Sequence, residues 1–128
     1  MAKILIVEDE APLNQLYKEE LQDHGYEVMV AHSGRDALSM LRTNPVDLMI
    51  LDLKLPDGSG LDYLCDFLRT HRKLKVIINT AYPMFKRDFR SWGAEAFVVK
   101  SSDLSELLCT VEWVLHQKNI PSQFQTAV

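Results

Sequence analysis

Cysteine is scarce in this chain. Its 128 residues hold two, Cys65 and Cys109, and their spacing fits no metal-ligand pattern. A disulfide framework is excluded as the organising device, because a chain of this length can build a full apolar core. Cys65 falls among apolar helix positions and reads as a small buried hydrophobe. Long apolar runs are missing too. No stretch approaches the roughly 20 residues that span a bilayer, and Met1-Ala2-Lys3 followed by four apolar residues is too short for a secretory signal. The expected location is the cytoplasm, with no membrane partner. Positive charge is in deficit, the formal net charge being −4, which argues against a general nucleic-acid binder. Internal repeats and low-complexity segments are absent. So is a glycine-rich phosphate loop after the first apolar run, where Val7-Glu-Asp-Glu-Ala11 is acidic instead; this removes a flavin- or nucleotide-binding module. Hydrophobic content of 47% and charged content of 25% leave an ordinary soluble domain with one core.

Five short apolar runs read as strands: 3–7, 27–31, 48–51, 75–79 and 95–99. Ile4-Leu-Ile-Val7, Leu48-Met-Ile-Leu51 and Val76-Ile-Ile78 are continuous rather than alternating, which marks strands buried on both faces of a parallel sheet. Helical patterns fill the gaps. The first opens at Pro12, turns Leu13, Leu16, Tyr17 and Leu21 inward, and stops at Gly25. The second follows the cap-like Ser33-Gly-Arg-Asp36 and ends before Asn44-Pro45. The third buries Leu61, Leu64, Cys65 and Leu68, and its basic end, Arg69 to Lys73, suits the helix dipole. The fourth runs from Pro83 to about Trp92, where Gly93 ends it. The last, capped by Ser101, Ser102 or Asp103, extends through His116 with Leu104, Leu107, Leu108, Val111, Val114 and Leu115 inward. Strand–helix alternation repeated five times, joined by right-handed crossovers, predicts a three-layer doubly wound α/β domain. The domain is expected over 1–117, with 118–128 as a frayed tail or the start of a linker.

The chemistry gathers at the strand ends. Glu8 and Asp9 follow the first strand, Asp52 the third, Thr80 the fourth and Lys100 the fifth. In a parallel sheet these ends share one edge, the edge where sites form. Taken singly, Asp52 also reads as a helix cap, and Glu8-Asp-Glu10 as a solvated acidic loop. Together, three carboxylates on one edge repel one another unless a cation offsets them. A hard divalent ion with oxygen ligands, Mg²⁺ above all, or Mn²⁺, is the natural partner. Lys100 adds a second positive charge and Thr80 a hydroxyl donor. An acid cage with a metal, an ammonium and a hydroxyl suits a phosphoryl group. Asp52, at its centre, is placed to act as the nucleophile and form an acyl phosphate.

These residues carry a resemblance. Ile4-Leu-Ile-Val-Glu-Asp9, Leu51-Asp-Leu-Lys-Leu-Pro56 with Gly60, Thr80-Ala81, and Gly93-Ala94 with Phe97-Val-Val-Lys100 are similar to the receiver domain of bacterial two-component response regulators, over roughly residues 3 to 117. The resemblance implies a flavodoxin-like (βα)5 fold with a five-stranded parallel sheet in the order 2-1-3-4-5. It implies that Asp52 accepts a phosphoryl group from a phosphohistidine on a sensor histidine kinase or phosphotransfer protein. Mg²⁺ would be held by Asp9, Asp52 and the backbone carbonyl of Lys54, with Glu8 reaching it through water. Thr80 and Lys100 would contact the phosphoryl oxygens. Phe97 takes the position of the switch aromatic, which moves inward when Thr80 is drawn to the phosphoryl group; a plain core aromatic stands as the alternative. The chain would then be a signalling switch rather than an enzyme proper, with only self-catalysed phosphotransfer and autodephosphorylation. Its output would be a domain or protein partner, homodimerisation on phosphorylation being one route, read through the fourth helix, fifth strand and fifth helix. There Phe85, Phe89 and Trp92 share a helical stripe, with Trp92 assigned to the core and at least one of the three expected to stand exposed as an interface anchor. The loop 53–60 is of a type associated with transcription regulators.

Three departures from the family pattern stand out. Ser101 follows Lys100 where proline is usual, so a trans bond and a shifted loop are open. Phe89 and Trp92 occupy fourth-helix positions that are often small, and Tyr82 is large beside the site. Asp57 has no role in the resemblance and reads as a turn former with Gly58. A metal-dependent hydrolase with an aspartyl nucleophile needs a second acid two residues on, where this chain has Lys54. A degenerate receiver would have lost one of the site residues, and none is missing.

Overall fold

A computed structural model describes residues 1–116, and of Phe89 the backbone alone. The expected tail at 118–128 lies outside the described residues, as does the side-chain role assigned to Phe89. The chain alternates β1 (Lys3–Val7), α1 (Ala11–Asp23), β2 (Glu27–Ala31), α2 (Gly34–Thr43) and β3 (Leu48–Leu51). A small hairpin follows, β4 (Lys54–Leu55) and β5 (Gly58–Ser59), then α3 (Gly60–Thr70), β6 (Lys75–Thr80), β7 (Ala96–Val99) and α4 (Ser105–Leu115). The five long strands pair in parallel in the order β2-β1-β3-β6-β7. Omitting the hairpin, this is the 2-1-3-4-5 order of the doubly wound, flavodoxin-like fold.

Period-two alternation divides the core between the two sheet faces. Leu5, Val7, Met49, Leu51 and Val76 pack with Ala37 and Leu41 of α2 and Leu64 and Phe67 of α3. Ile4, Ile6, Leu48, Ile50 and Ile77 pack with Tyr17 and Leu21 of α1 and with Leu107, Val111 and Val114 of α4. Both faces are covered, which is why these strands read as unbroken apolar runs. Each fully buried aliphatic side chain contributes about 1.5–3 kcal/mol.

Five expectations change. The fourth helix does not form: residues Pro83–Arg87 and Phe89–Gly93 make two short 3₁₀ segments. Asp88 divides them. Its backbone is extended, and its carboxylate accepts from the Arg90 N–H at 2.9 Å. Its carbonyl accepts from the Ser91 hydroxyl at 2.7 Å. These local bonds compete with α-helical pairing. The aromatic stripe therefore has no α-helix to stand on, and Trp92 is 75% exposed rather than core. Cys65 is exposed, and Phe67 fills the interior instead. On α1, Leu16 is 40% exposed and Asn14 takes the inward position. The last helix begins at Ser105, where Asp103 accepts from the Ser105 N–H at 2.9 Å.

Candidate functional site

The carboxyl edge of the sheet is extended by hydrogen bonds one residue past several strands. Glu8 donates its N–H to the Ala31 carbonyl at 3.1 Å, Asp52 to Val7 at 3.0 Å and Lys100 to Thr80 at 2.8 Å. The sheet itself thus fixes the backbone of three site residues. Thr80 closes β6 and is wholly buried, Glu8 is 2% exposed and Asp52 6%, while Asp9 faces solvent.

Lys100 bridges the acids. Its ammonium donates to Glu8 Oε1 and, at 3.1 Å, to Asp52 Oδ2. Glu8, Asp9 and Asp52 each bring a carboxylate oxygen within 4.8 Å of the others. Burial, with the Asp52 charge adding to it, pushes the Glu8 carboxyl up to about 7 against the pull of Lys100. Burial also opposes the Lys100 charge, but Glu8 and Asp52 outweigh it and hold the ammonium above its ordinary range. Among the described residues Lys100 is the one cation ion-paired with these acids, the Lys54 ammonium being turned to Tyr82, which leaves the three carboxylates short of positive charge. An all-oxygen donor set with one solvent-facing member fits a hard divalent ion.

The hairpin β4–β5 forms the other wall. Lys54 donates its N–H to Asp52 Oδ1 at 3.4 Å. Residue 60 must be glycine, because a Cβ there would lie 2.5 Å from the Asp52 carbonyl oxygen. The Lys54 ammonium donates to the Tyr82 hydroxyl at 3.4 Å and sits 5.6 Å from that ring's centre. Thr80 Oγ1 accepts from the Tyr82 N–H at 3.3 Å and keeps its own proton for donation. A cleft of about 350 Å³ opens between Asp9, Asp52, Lys54, Ala81, Tyr82 and Lys100. Phe97 is half-buried, packed with Phe85 and Ala94 against Leu53, Leu61 and Ile78. The Lys100–Ser101 peptide is trans.

Every residue named from the sequence lies at this edge or, for Phe97, on the strand beside it. Two further residues make bonds near this edge that are not expected from the sequence. Asn14 donates to the Glu8 carbonyl at 2.7 Å; its position three residues before Tyr17 and seven before Leu21 was the available signal. Asp57 does more than form a turn: it accepts from the Gly34 and Arg35 N–H groups, both at 3.0 Å. No local pattern announces that bond, which joins residues more than twenty apart.

The family model for the response regulator receiver domain matches residues 4–112. The chain belongs to the response regulator receiver domain family. Among similar proteins, the response regulator ArlR of Staphylococcus saprophyticus is 36% identical over 94% of this chain and 56% of its own length. The transcriptional regulatory protein CpxR of Klebsiella pneumoniae is 32% identical over 98% of this chain and 54% of its own. The receiver thus spans about half the length of the curated relatives it matches. Of solved structures, the response regulator TrrA of Thermotoga maritima in complex with Mg²⁺-BeF superposes with a TM-score of 0.86 at 39% identity, over 90% of this chain and all of that one. TrrA bound to the histidine kinase ThkA gives 0.84 at 39% identity, over 90% of this chain and 99% of that one. The receiver is a signalling domain, and among its described residues no helix is long and apolar enough to cross a membrane.

Proposed function

We propose that this receiver is the phosphoacceptor of a two-component phosphorelay, with Asp52 as its nucleophile. The observation that carries the reading is the Lys100 ammonium held between Asp52 and Glu8, beside a solvent-facing Asp9 and a buried Thr80 hydroxyl. An oxygen of the Asp52 carboxylate attacks phosphorus, the O–P bond forms, the N–P bond of a phosphohistidine breaks, and the imidazole leaves. Lys100 turns from the carboxylates toward the phosphoryl oxygens, and Thr80 donates its proton to one of them. Asp9, Asp52 and the Lys54 carbonyl would hold Mg²⁺ or Mn²⁺, with Glu8 reaching it through water. A bound divalent ion neutralises charge that carboxylates and phosphoryl oxygens would otherwise set against each other.

The donor is a sensor histidine kinase or phosphotransfer protein, in keeping with the kinase complex of TrrA. Drawing Thr80 toward the phosphoryl group frees space for Phe97, which biases a pre-existing equilibrium of the 83–93 segment, β7 and α4. That face signals to an output domain or protein partner, transcription being the output named for CpxR, or to a second copy of the chain. The receiver is assigned to 1–117 and to the cytoplasm, without direct nucleic-acid contact. It is a self-catalysed acceptor rather than an enzyme acting on other molecules. Treatment with acetyl phosphate should add one phosphoryl mass when Mg²⁺ is present and none in excess chelator. Equal labelling in both conditions would overturn the metal-dependent reading.

A further inference from the structure

The hairpin β4–β5 carries Lys54 beside Asp52, and a ribbon with two residues per strand does not stand alone. Its base is tied down by buried Leu53 and Leu55 and by the Gly60 N–H donating to the Leu53 carbonyl at 2.7 Å. Its tip is the turn Pro56-Asp57. There Asp57 Oδ1 accepts from the Gly34 N–H at 3.0 Å, while Oδ2 accepts from the Arg35 N–H at 3.0 Å and the Tyr63 hydroxyl at 2.9 Å. Gly34 and Arg35 open α2, so their N–H groups have no carbonyl within the helix and favour a negative charge. The helix has its own cap as well: Ser33 Oγ accepts from the Asp36 N–H at 3.1 Å. Asp57 takes the two donors that Ser33 leaves over.

Tyr63 locks the arrangement from the side of α3. Its ring lies so close to Gly34 that a Cβ there would come within 2.3 Å of a ring carbon. The same ring stacks on buried Phe67, with centroids 5.7 Å apart. The tip of the hairpin is therefore joined to two helices rooted in the core.

We propose that Asp57 is a positioning residue for the metal site: by clamping the hairpin tip to the start of α2, it holds the Lys54 carbonyl in place for the cation. The proposal rests on the reading of the site given above. Calorimetric Mg²⁺ titration of the full chain tests it, with Asp57→Ala, Tyr63→Phe and Ser33→Ala compared to wild type. Asp57→Ala should weaken Mg²⁺ binding about tenfold, the usual effect of losing an outer support of a metal ligand. Tyr63→Phe should shift affinity in the same direction by less. Ser33→Ala removes the helix's own cap without touching the hairpin and should leave Mg²⁺ affinity at the wild-type value. Phosphorylation of Asp57→Ala by acetyl phosphate should return to the wild-type rate at saturating Mg²⁺, since Asp52, Thr80 and Lys100 are untouched. Unchanged affinity in Asp57→Ala, an equal loss in Ser33→Ala, or a rate deficit that persists at saturation would overturn the clamp. Wild-type protein that binds no Mg²⁺ would overturn the site reading with it, whereas tight wild-type binding with an unaffected Asp57→Ala defeats the clamp alone.

Discussion

At the scale of single residues, the proposed chemistry turns on Asp52, Lys54 and Tyr82. A water that hydrolyses an Asp52 phosphoryl group must approach in line, and the Lys54–Tyr82 pair stands at that cleft. Lys54 offers no acceptor to orient the water, and the Tyr82 ring fills space. Tyr82→Ala should therefore shorten the phospho-form's lifetime severalfold, read by following the phosphoryl mass over time; an unchanged or longer lifetime would contradict a shielding role. Asp57 yields a pH prediction. Burial tends to raise its carboxyl, but the Gly34 and Arg35 N–H groups and the Tyr63 hydroxyl overcome this and hold it below its ordinary value of 3.8. A lowered folded value means that its stabilisation is complete above the ordinary value and is lost as pH falls through the folded one. The effect is modest and weakened by salt, because the group is exposed. Urea unfolding of wild type and Asp57→Asn should differ by a constant amount near neutrality, and the difference should vanish in acid. A gap that widens in acid would contradict the assignment.

At the scale of elements, the legible parts were those with one dominant signal. The doubly buried strands announced themselves as apolar runs, and β3 ends as expected at Leu51, with Asp52 next. Ser33 capped α2 as its sequence pattern indicated. The 83–93 segment failed because Asp88 and Ser91 bond to nearby backbone, a competition that helical spacing of aromatics does not register. Cys65 was misplaced because two neighbouring helical phases both offered apolar residues; Phe67, stacked on Tyr63, takes the buried position instead. The hairpin β4–β5 is too short to leave a pattern. Two short 3₁₀ turns joined at the extended Asp88, with Met84 and Trp92 exposed, rest on local i→i+3 hydrogen bonds, so residues 83–93 should show the fastest amide exchange between β6 and α4. Exchange there as slow as in β3 would contradict this local picture.

At the scale of the whole molecule, one parallel sheet gathers residues from positions 8 to 100 onto a single edge, and the same sheet carries Phe97 between that edge and an exposed face. Val99 on the edge strand β7 and Trp113 on α4 are both open to solvent, apolar anchors of the sort that interfaces use. Addition of Mg²⁺ with a phosphoryl mimic should raise self-association in sedimentation and alter exchange protection across residues 82–100. No change in either would remove this face as the output surface. The edge was legible from the sequence because topology alone assembles it; the face was less so, because it depends on how an irregular segment packs. The most direct test of the account is the location of the phosphoryl group. Protein labelled with acetyl phosphate and Mg²⁺, then reduced with borohydride to convert any acyl phosphate to its alcohol, can be mapped by peptide mass. Homoserine is expected at Asp52 alone, with no label on Asp52→Asn; conversion at Asp9 or Asp57, or undiminished labelling of the Asn variant, would contradict Asp52 as the acceptor.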